Sequence, residues 1–362
     1  MKLGRILLAI VTVAASAALV LSYSSRFISP SALWYTALFG LAYFPILLVF
    51  LLLTVLWFFV HKRVFWILLV LLLIGWPAHR TSFAMGKKNT EPADSLQTFS
   101  VATFNTKGFD LNAKEPDRES VMKTILEADA DIICLQEFNS WKKEGMPNNR
   151  QEIADGTGLP YQYYHKSYEN RKKTRSYGLI IYSRFPILKY GELDYPAISK
   201  LNTTIWADIL IYGDTIRLFS THLQSNQLTH SDFEFIDQTG SSDTLSFEPA
   251  RVANKLRDSY KLRAEQVEVI RQALDASPHP VLFCGDFNDT PVSYAYRKIS
   301  EGLDDAFLHC GRGLGATYSP APLIRIDYML YTPAVLKALD YERRRSAGSD
   351  HYLVRSVFSL QP

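Results

Sequence analysis

The first 80 residues contain no aspartate or glutamate, and their basic residues are confined to short stretches outside long apolar runs. All six Lys and Arg of this region lie outside three such runs: Ile6 to Leu21, Leu33 to Val60 and Val64 to Ala78. A membrane helix needs about 20 apolar residues. The missing acids and the placement of the bases therefore predict a membrane anchor of about three transmembrane helices in residues 1–80.

Two of the three runs leave an alternative open. The first run could be a cleavable signal peptide, since Ala15-Ser16-Ala17 is an acceptable cleavage site, although the run continues past it to Leu21. No cysteine precedes Cys134, which excludes a lipid-modified N-terminal cysteine. The third run has only 15 residues, so it could be a tilted span or one arm of a re-entrant hairpin.

Cysteine is scarce, and the charge beyond the apolar runs is nearly balanced. The three cysteines form neither a disulfide framework nor a metal-ligand spacing, and Cys134 and Cys284 fall in apolar runs that predict core positions. Beyond residue 80, 33 of the 39 Lys and Arg remain against all 36 Asp and Glu. This mildly acidic balance is not typical of a dedicated DNA binder, but it does not exclude a nuclease.

After a predicted polar linker at 81–98, residues 99–362 are enough for one large domain with a sizeable core. Short strand-like runs recur through this region, and helical patterns are few: Asp117 to Glu127 and Lys261 to Ala276. Many strands with few helices between them favour two packed sheets flanked by helices over a doubly wound parallel sheet.

Acids, amides and histidines stand at the ends of at least six of these strand-like runs. They are Asn105, Glu137, His222, Asp286, Asn288, Asp327, Asp350 and His351. Each carries little information alone: a glutamate after a strand is usually a surface residue, and a lone histidine is usually structural. Most strand ends carry turn residues, so the whole set indicates a polar site built from strand ends.

Six motifs carry these residues in a fixed order. They are Thr103-Phe104-Asn105, Leu135-Gln136-Glu137, Ser220-Thr221-His222-Leu223, Gly285-Asp286-Phe287-Asn288, Arg325-Ile326-Asp327-Tyr328 and Ser349-Asp350-His351. In order and content they resemble the endonuclease/exonuclease/phosphatase superfamily, which is deoxyribonuclease I-like, over roughly residues 99 to 360. The resemblance implies a four-layer α/β sandwich and divalent-metal-dependent hydrolysis of a phosphoester.

The resemblance also implies a metal site. Glu137 resembles the principal Mg²⁺ ligand, with Asn105 beside it as a metal or phosphate contact and Asp350 supporting the metal or a second one. A hard cation that keeps several waters needs few protein oxygens, so one carboxylate plus phosphate oxygens is a reasonable ligand set. Mn²⁺ is the alternative ion.

Catalytic roles follow from the same resemblance. His351 resembles the histidine that acts on the scissile phosphate, with Asp327 hydrogen-bonded to its other ring nitrogen. Asp286 would activate water or protonate the leaving oxygen, and Asn288 would hold a non-bridging oxygen. His222 resembles a second histidine that donates to the phosphate or the leaving group. Which of Asp286, His222 and His351 is the acid and which the base stays open.

Substrate choice is less defined. A basic cluster of Arg171, Lys172, Lys173 and Arg175 predicts contact with a phosphate or a lipid headgroup, the alternative being a solvated loop. The polar excursion Asn226 to Tyr260 is expected to rim the site without contributing to a core. A lipid-like or small phosphoester is slightly favoured over nucleic acid. A non-catalytic binding protein on the same fold is the rival, and no protein partner is inferred.

Charge around the apolar runs predicts the orientation in a cytoplasmic (inner) membrane. Lys2, Arg5, Lys62 and Arg63 would flank the cytoplasmic side, against Arg26 in the one short external loop. A multi-pass anchor of three spans then puts the catalytic domain outside the cytoplasm. If the third run only dips into the bilayer and returns, the domain stays cytoplasmic.

Overall fold

The computed structural model describes residues 2–86, 97–109, 115–142, 145–195, 201–226 and 249–361. Its N-terminal part is helical. The helices are α1 Lys2–Ser24, α2 Pro30–Leu33, α3 Tyr35–Leu41, α4 Tyr43–Val60, α5 Lys62–Ile74 and α6 Trp76–Ser82. Two stretches, Leu3–Ser24 and Tyr43–Val60, are long and apolar enough to cross a membrane, which is consistent with membrane association. The second predicted run, Leu33 to Val60, is not one helix: it begins at the last residue of α2 and continues through α3 and α4.

Helices α5 and α6 form a pair bent by 59°, which would give a third span only if the pair counts as one. Together with α1 to α4 they form the N-terminal bundle, residues 2–82. The Tyr23 ring lies 6.5 Å from the Tyr43 ring and 5.8 Å from the His79 ring. The end of α1, the start of α4 and α6 therefore lie together at one end of the bundle.

The rest of the described chain forms two six-stranded mixed sheets, a two-stranded pairing and a second set of helices. The strands are β1 Ala84–Met85, β2 Thr98–Asn105, β3 Ile132–Trp141, β4 Tyr161–Glu169, β5 Arg175–Ser183, β6 Ile187–Glu192, β7 Thr204–Ile211, β8 Asp214–His222, β9 Val281–Asp286, β10 Asp304–Asp305, β11 Arg312–Gly313, β12 Asp327–Tyr331, β13 Leu336–Arg345 and β14 Tyr352–Leu360. The helices are a 3₁₀ turn at Lys107–Phe109, α7 Glu115–Leu126, α8 Asn149–Thr157, α9 Pro249–Asp275, α10 Tyr294–Ile299 and α11 Ala306–Cys310.

The first sheet, called the Glu137 sheet, has the order β13-β14-β2-β3-β5-β4. The second, called the Asp286 sheet, has the order β10-β12-β9-β8-β7-β6. Apolar side chains of both sheets, including Cys134 and Cys284, pack in one buried cluster between them. The expectation that these two cysteines are core residues is confirmed.

Helices cover the outer faces of both sheets. Val121 of α7 and Ile153 of α8 pack on the Glu137 sheet, and Val267 of α9 and Ile299 of α10 pack on the Asp286 sheet. This is the predicted four-layer α/β sandwich. It buries an apolar face of every sheet and helix, which is the usual reason for such layering.

Two boundaries differ from the sequence-based expectation. Helix α9 begins at Pro249, well before the predicted Lys261, because the last part of the polar excursion continues the helix. Tyr260 in this part is buried, so the expectation that the excursion adds nothing to a core is wrong there. The rest of the excursion, 227–248, lies outside the described residues.

The predicted linker, 81–98, begins inside α6 and includes β1. Strand β1 pairs antiparallel with β11, with Ala84 opposite Gly313. Residues 87–96 lie outside the described residues. The bundle is thus joined to the sandwich by backbone hydrogen bonds as well as by the chain.

Candidate active site

Strand pairing brings the predicted polar residues to a common edge. Strands β2 and β3 run parallel with Asn105 opposite Gln136, and β8 and β9 run parallel with His222 opposite Asp286. Strand β12 begins at Asp327, which pairs with Asp286. Since parallel strands end at the same edge of a sheet, the motifs converge where the two sheets face each other.

Asp286 lies at the centre of this cluster. Its carboxylate is 1% exposed and accepts hydrogen bonds from Asn105 Nδ2 at 3.1 Å and from the backbone N of Asn288 at 2.7 Å. The Asn288 side chain adds a third, from Nδ2 at 3.2 Å. Three donors on one buried carboxylate satisfy its oxygens and fix its orientation.

Gly285 lets Asp286 reach this position. Its φ is +131°, and a Cβ at this residue would collide with the backbone carbonyl of Thr221 on β8. Only glycine combines that dihedral with such a close approach of two paired strands. The glycine in the fourth motif therefore sets the distance between the Asp286 and His222 strands.

Glu137 reaches the site from the Glu137 sheet through an irregularity in β3. The pairing of β3 with β5 shifts between Leu135 and Phe138, and Glu137 has a φ of 50°. The bulge turns the carboxylate toward Asn105, whose Nδ2 donates to Oε1 at 3.1 Å. Such bulges commonly re-aim a side chain beside an active site. The Glu137 side chain stays 28% exposed.

Asn105 joins the two sheets. Its Nδ2 donates to both Glu137 and Asp286, while its Oδ1 accepts from the backbone N of Lys107 at 3.0 Å. The amide therefore presents a donor to the site. In this arrangement Asn105 orients both carboxylates.

His351 and Asp327 form a buried pair. The Nδ1 of His351 lies 3.1 Å from Asp327 Oδ2, and its Nε2 lies 3.7 Å from Asp286 Oδ2. Thr317 Oγ1 accepts from the Asp327 backbone N at 3.0 Å. Burial lowers the pKa of His351, but the charges of Asp327 and Asp286 outweigh it and raise the pKa to about 10.

His222 completes the set from the end of β8. Its Nε2 lies 3.6 Å from Glu137 Oε1 and 3.7 Å from Asp286 Oδ2. Asn202 Nδ2 lies 3.4 Å from its Nδ1 and donates to the Leu223 carbonyl at 3.0 Å. The imidazole thus contacts both acids and is packed against Asn202.

Among the described residues, one grouping of these side chains could hold a divalent cation, and the predicted ligand Glu137 is not part of it. Asp286, Asp327 and His351 can each offer one ligand atom, and these atoms lie within 4.8 Å of one another. Glu137, the predicted ligand, offers a partly exposed carboxylate close to His222 and to the amide that also bonds Asp286. Carboxylate oxygens suit Mg²⁺, and an imidazole nitrogen in the set is better suited to Mn²⁺.

Among the described residues, Asp350 and the basic cluster make their contacts with groups other than Asp286. The Asp350 carboxylate faces Lys107 Nζ at 3.8 Å, and its carbonyl accepts from Ser319 N at 2.7 Å. Arg171, Lys172 and Lys173 are exposed on the turn between β4 and β5. Arg175 is half-buried: its Nε donates to Asn139 Oδ1 at 3.2 Å and its guanidinium lies over the Trp141 ring.

Two tyrosines that sequence reasoning missed line the cluster. Tyr177 hydrogen-bonds Glu137, and burial followed by the charge of Glu137 raises the pKa of its hydroxyl. The Tyr318 ring lies 5.3 Å from the His351 ring, and burial, with Asp350 as the largest charge, raises its pKa to about 12. Neither stands in one of the six motifs. The one available signal was strand alternation, which puts Tyr177 on the same face of β5 as Arg175.

The four-layer sandwich and its cluster of acids, amides and histidines define a deoxyribonuclease I-like hydrolase fold. The family model described as the Endonuclease/Exonuclease/phosphatase family matches residues 102–351, and the chain belongs to this family. A second model, described as a domain of unknown function, matches residues 5–82, which is nearly the whole N-terminal bundle.

Relatives are distant. The chain is 26% identical to human "Protein angel homolog 2" over 242 residues, which is 60% of this chain and 40% of that protein. It thus spans well under half the length of this curated relative. The human Nocturnin catalytic domain with bound sulfate aligns with a TM-score of 0.51, 15% identity, 74% of this chain and 96% of that one. A humanized D. rerio TDP2 aligns with a TM-score of 0.50 and 16% identity, over 73% of this chain and 99% of that one.

Proposed function

We propose that this chain is a membrane-anchored, divalent-metal-dependent phosphoesterase. The supporting observation is the convergence of Glu137, Asp286 and His351 from different strands onto one buried edge, joined through Asn105. A cluster of this kind suits acid–base chemistry on a phosphoester whose charge a cation neutralises. A non-catalytic binding protein would have no need of this arrangement.

Glu137 is proposed to hold Mg²⁺ or Mn²⁺, with Asn105 orienting its carboxylate and Asp350 acting from the edge of the site. When bound, the ion neutralises charge on the phosphate oxygens and favours attack at phosphorus. Asp286 and the Asp327–His351 pair are assigned to proton transfer. Asp327 lies against Nδ1 of His351, which leaves Nε2 of the ring facing Asp286 and the substrate.

The remaining residues bind and orient the phosphate. Asp327 holds His351 so that Nε2 points toward Asp286, where it can donate to a phosphate oxygen or to the leaving group. Asn288 Nδ2 can donate to a non-bridging oxygen of the phosphate once its hydrogen bond to Asp286 is broken. His222 Nε2 can donate to the phosphate from the side of the site where Glu137 lies. Burial of Asp286 and His351 excludes water that would weaken these contacts.

A lipid-like or small phosphoester is the proposed substrate class. The loop that follows Asn288 contacts the N-terminal bundle: Thr290 Oγ1 donates to the Gly40 carbonyl at 3.2 Å and Ser25 Oγ donates to the Val292 carbonyl at 2.6 Å. The catalytic loop is therefore close to the end of the candidate membrane spans. Three spans in an inner membrane would place this loop outside the cytoplasm.

A nuclease is the second candidate. The exposed Arg171, Lys172 and Lys173 favour it, because a basic hairpin suits the repeated phosphates of a nucleic-acid strand. Their hairpin includes β5, the strand that carries Tyr177 and pairs with the Glu137 strand.

The test uses the full chain in lipid nanodiscs, with Mg²⁺, with Mn²⁺ and with chelator. The substrates are phosphatidylglycerol, a small aryl phosphodiester, an aryl phosphomonoester, single-stranded DNA and RNA. We expect metal-dependent turnover that is highest on the lipid or on a small ester. Turnover highest on DNA or RNA would establish the nuclease instead. No turnover on any substrate with either ion would contradict the enzymatic proposal.

A further inference from the structure

A cleft of about 940 Å³ lies where the N-terminal bundle meets the sandwich, away from the polar cluster described above. Its helical side includes Arg26, Trp76, Arg80 and Phe83, and its sandwich side includes Tyr296 and His309. None of the residues assigned to catalysis or metal binding lines this cleft. Whatever occupies it is therefore not held by the catalytic groups.

Arg26 is the unusual residue of the cleft. Only 9% of it is exposed, yet its guanidinium makes one long hydrogen bond, from Nη1 to Thr81 Oγ1 at 3.4 Å. Its Nε is buried without a hydrogen-bond partner among the described residues. A buried guanidinium is costly unless an anion and hydrogen bonds compensate it. Burial, with smaller contributions from Arg297 and Arg80, lowers the pKa of Arg26.

The acids of the cleft are already paired with other groups. Asp305 binds Arg325 Nη1 at 2.6 Å and accepts from Tyr296 Oη at 2.8 Å. Asp304 pairs with His309 at 3.0 Å. In the described part of the chain, Arg26 and the exposed Arg80 have no carboxylate within ion-pair distance. The cleft therefore carries positive charge that the described residues do not balance.

The cleft also lies at a particular level of the molecule. Arg26 lies two residues after the end of the candidate span Leu3–Ser24, and Arg80 is in α6 at the same end of the bundle. Trp76 and Phe83 beside them are 60% and 52% exposed. Exposed aromatic residues next to basic ones at the end of a membrane helix are typical of the headgroup region, where lipid phosphates lie.

We propose that this cleft binds the headgroup of an anionic phospholipid. The phosphate would accept from Arg26 Nε and from Arg80, and Trp76 and Phe83 would contact the glycerol and upper acyl region. An anionic lipid fits better than a zwitterionic one, because a choline or ethanolamine group would bring further positive charge to two arginines that no described carboxylate pairs. The site is independent of the reaction, so its test does not depend on turnover.

The experiment measures lipid retention by native mass spectrometry and the melting temperature of the full chain. The chain is placed in phosphatidylcholine nanodiscs with or without phosphatidylglycerol. We expect retained phosphatidylglycerol and a higher melting temperature in its presence. Arg26→Gln and Arg80→Gln should each weaken retention about tenfold or more, since a charge-assisted hydrogen bond contributes that much.

Arg63→Gln is the matched control, because Arg63 is exposed at the start of α5, the opposite end of the bundle. It should retain the lipid as the wild type does. Arg80 is exposed, so its variant gives an answer even if Arg26→Gln fails to fold. Equal retention of both lipids, or full retention by Arg80→Gln, would overturn the proposal. Inorganic phosphate that raises the melting temperature equally in pure phosphatidylcholine would show a free-anion site and overturn the lipid assignment.

Discussion

The Glu137 sheet and the Asp286 sheet contribute acids to the same site but hold them in different ways. Glu137 is set on a strand bulge, keeps 28% of its side chain exposed and is oriented by the Asn105 amide and the Tyr177 hydroxyl. Asp286 is 1% exposed and accepts from Asn105 and twice from Asn288. An exposed carboxylate can bind a cation that keeps its waters. A buried carboxylate whose orientation is fixed by hydrogen bonds is better suited to proton transfer at one position.

The two sheets also differ in what supports them. The loop after Asp286 is fastened to the N-terminal bundle by Thr290, Val292 and, through Thr81 Oγ1, the Pro291 carbonyl at 3.2 Å. The bulge at Glu137 has no such contact with the bundle among the described residues. The bundle is therefore part of the support of one half of the site.

The largest effect is expected from Asp286→Asn. This change replaces one of the two oxygens that accept from Asn105 and Asn288 with an NH2 donor, and it removes the negative charge beside His351, so kcat/KM should fall about 10³-fold. Steady-state turnover on the best substrate measures it. The control is Asp214→Asn, an exposed acid at the start of β8, which should keep wild-type turnover. A fall of less than tenfold in Asp286→Asn would contradict the central role of the buried acid.

Glu137→Gln should lower turnover by roughly 10²-fold and, unlike Asp286→Asn, should weaken metal binding in proportion. Calorimetric titration with Mn²⁺ separates the two variants. Glu127→Gln, an exposed glutamate that follows α7, is the control. Metal affinity that is unchanged in Glu137→Gln but lost in Asp286→Asn would reverse the proposed division between the sheets and assign the metal to the Asp286–Asp327–His351 group.

Asp327→Asn should cost roughly tenfold to a hundredfold, because the partner of a functional histidine orients the ring without itself contacting the substrate. The loss should appear in kcat more than in KM, since ground-state binding depends little on that orientation. Asp340 is on β13 in the other sheet, so Asp340→Asn should leave kcat unchanged. If KM rose by that factor while kcat stayed unchanged, the positioning role would be contradicted.

Part of this division can be predicted from the sequence, because Glu137 and Asp286 each follow an apolar run and such runs become strands. The resemblance of the six motifs to the superfamily implies the four layers and the convergence of Asp286, Asp327 and His351. The bulge at Glu137 was not predictable, since it depends on the register between β3 and β5, and neither was Tyr177, which the same register brings to the site. Contacts of Thr290 and Ser25 with residues on the other side of the bundle–sandwich boundary join positions 250 or more apart and leave no periodic signal.

Gly285→Ala tests the geometry of the Asp286 sheet alone. The added Cβ meets the backbone of Thr221 at a φ of +131°, so it should destabilise the fold by about 1–3 kcal/mol and lower the melting temperature by several degrees. Gly302→Ala is the matched control, because it has a φ of +77° with open space around it. If Gly302→Ala loses less stability than Gly285→Ala, the difference between the two reports the steric clash apart from the dihedral strain. Equal melting temperatures for both variants would mean that the close approach of β8 and β9 is not required.

The smallest effect is expected from the hairpin of the Glu137 sheet, in the triple variant Arg171→Gln, Lys172→Gln and Lys173→Gln. These exposed side chains make no contact with Asp286, so hydrolysis of a small ester should stay within about twofold of the wild type. On single-stranded nucleic acid, the slope of log K for binding against log salt concentration should become shallower by about 0.7 for each phosphate that the variant no longer neutralises. Lys189→Gln, at an exposed position on the edge strand of the other sheet, is the control and should change neither value. A matched decrease on the small ester and the polymer would mean that the hairpin supports the site itself. No change on either would remove it from substrate binding and weaken the case for a nuclease.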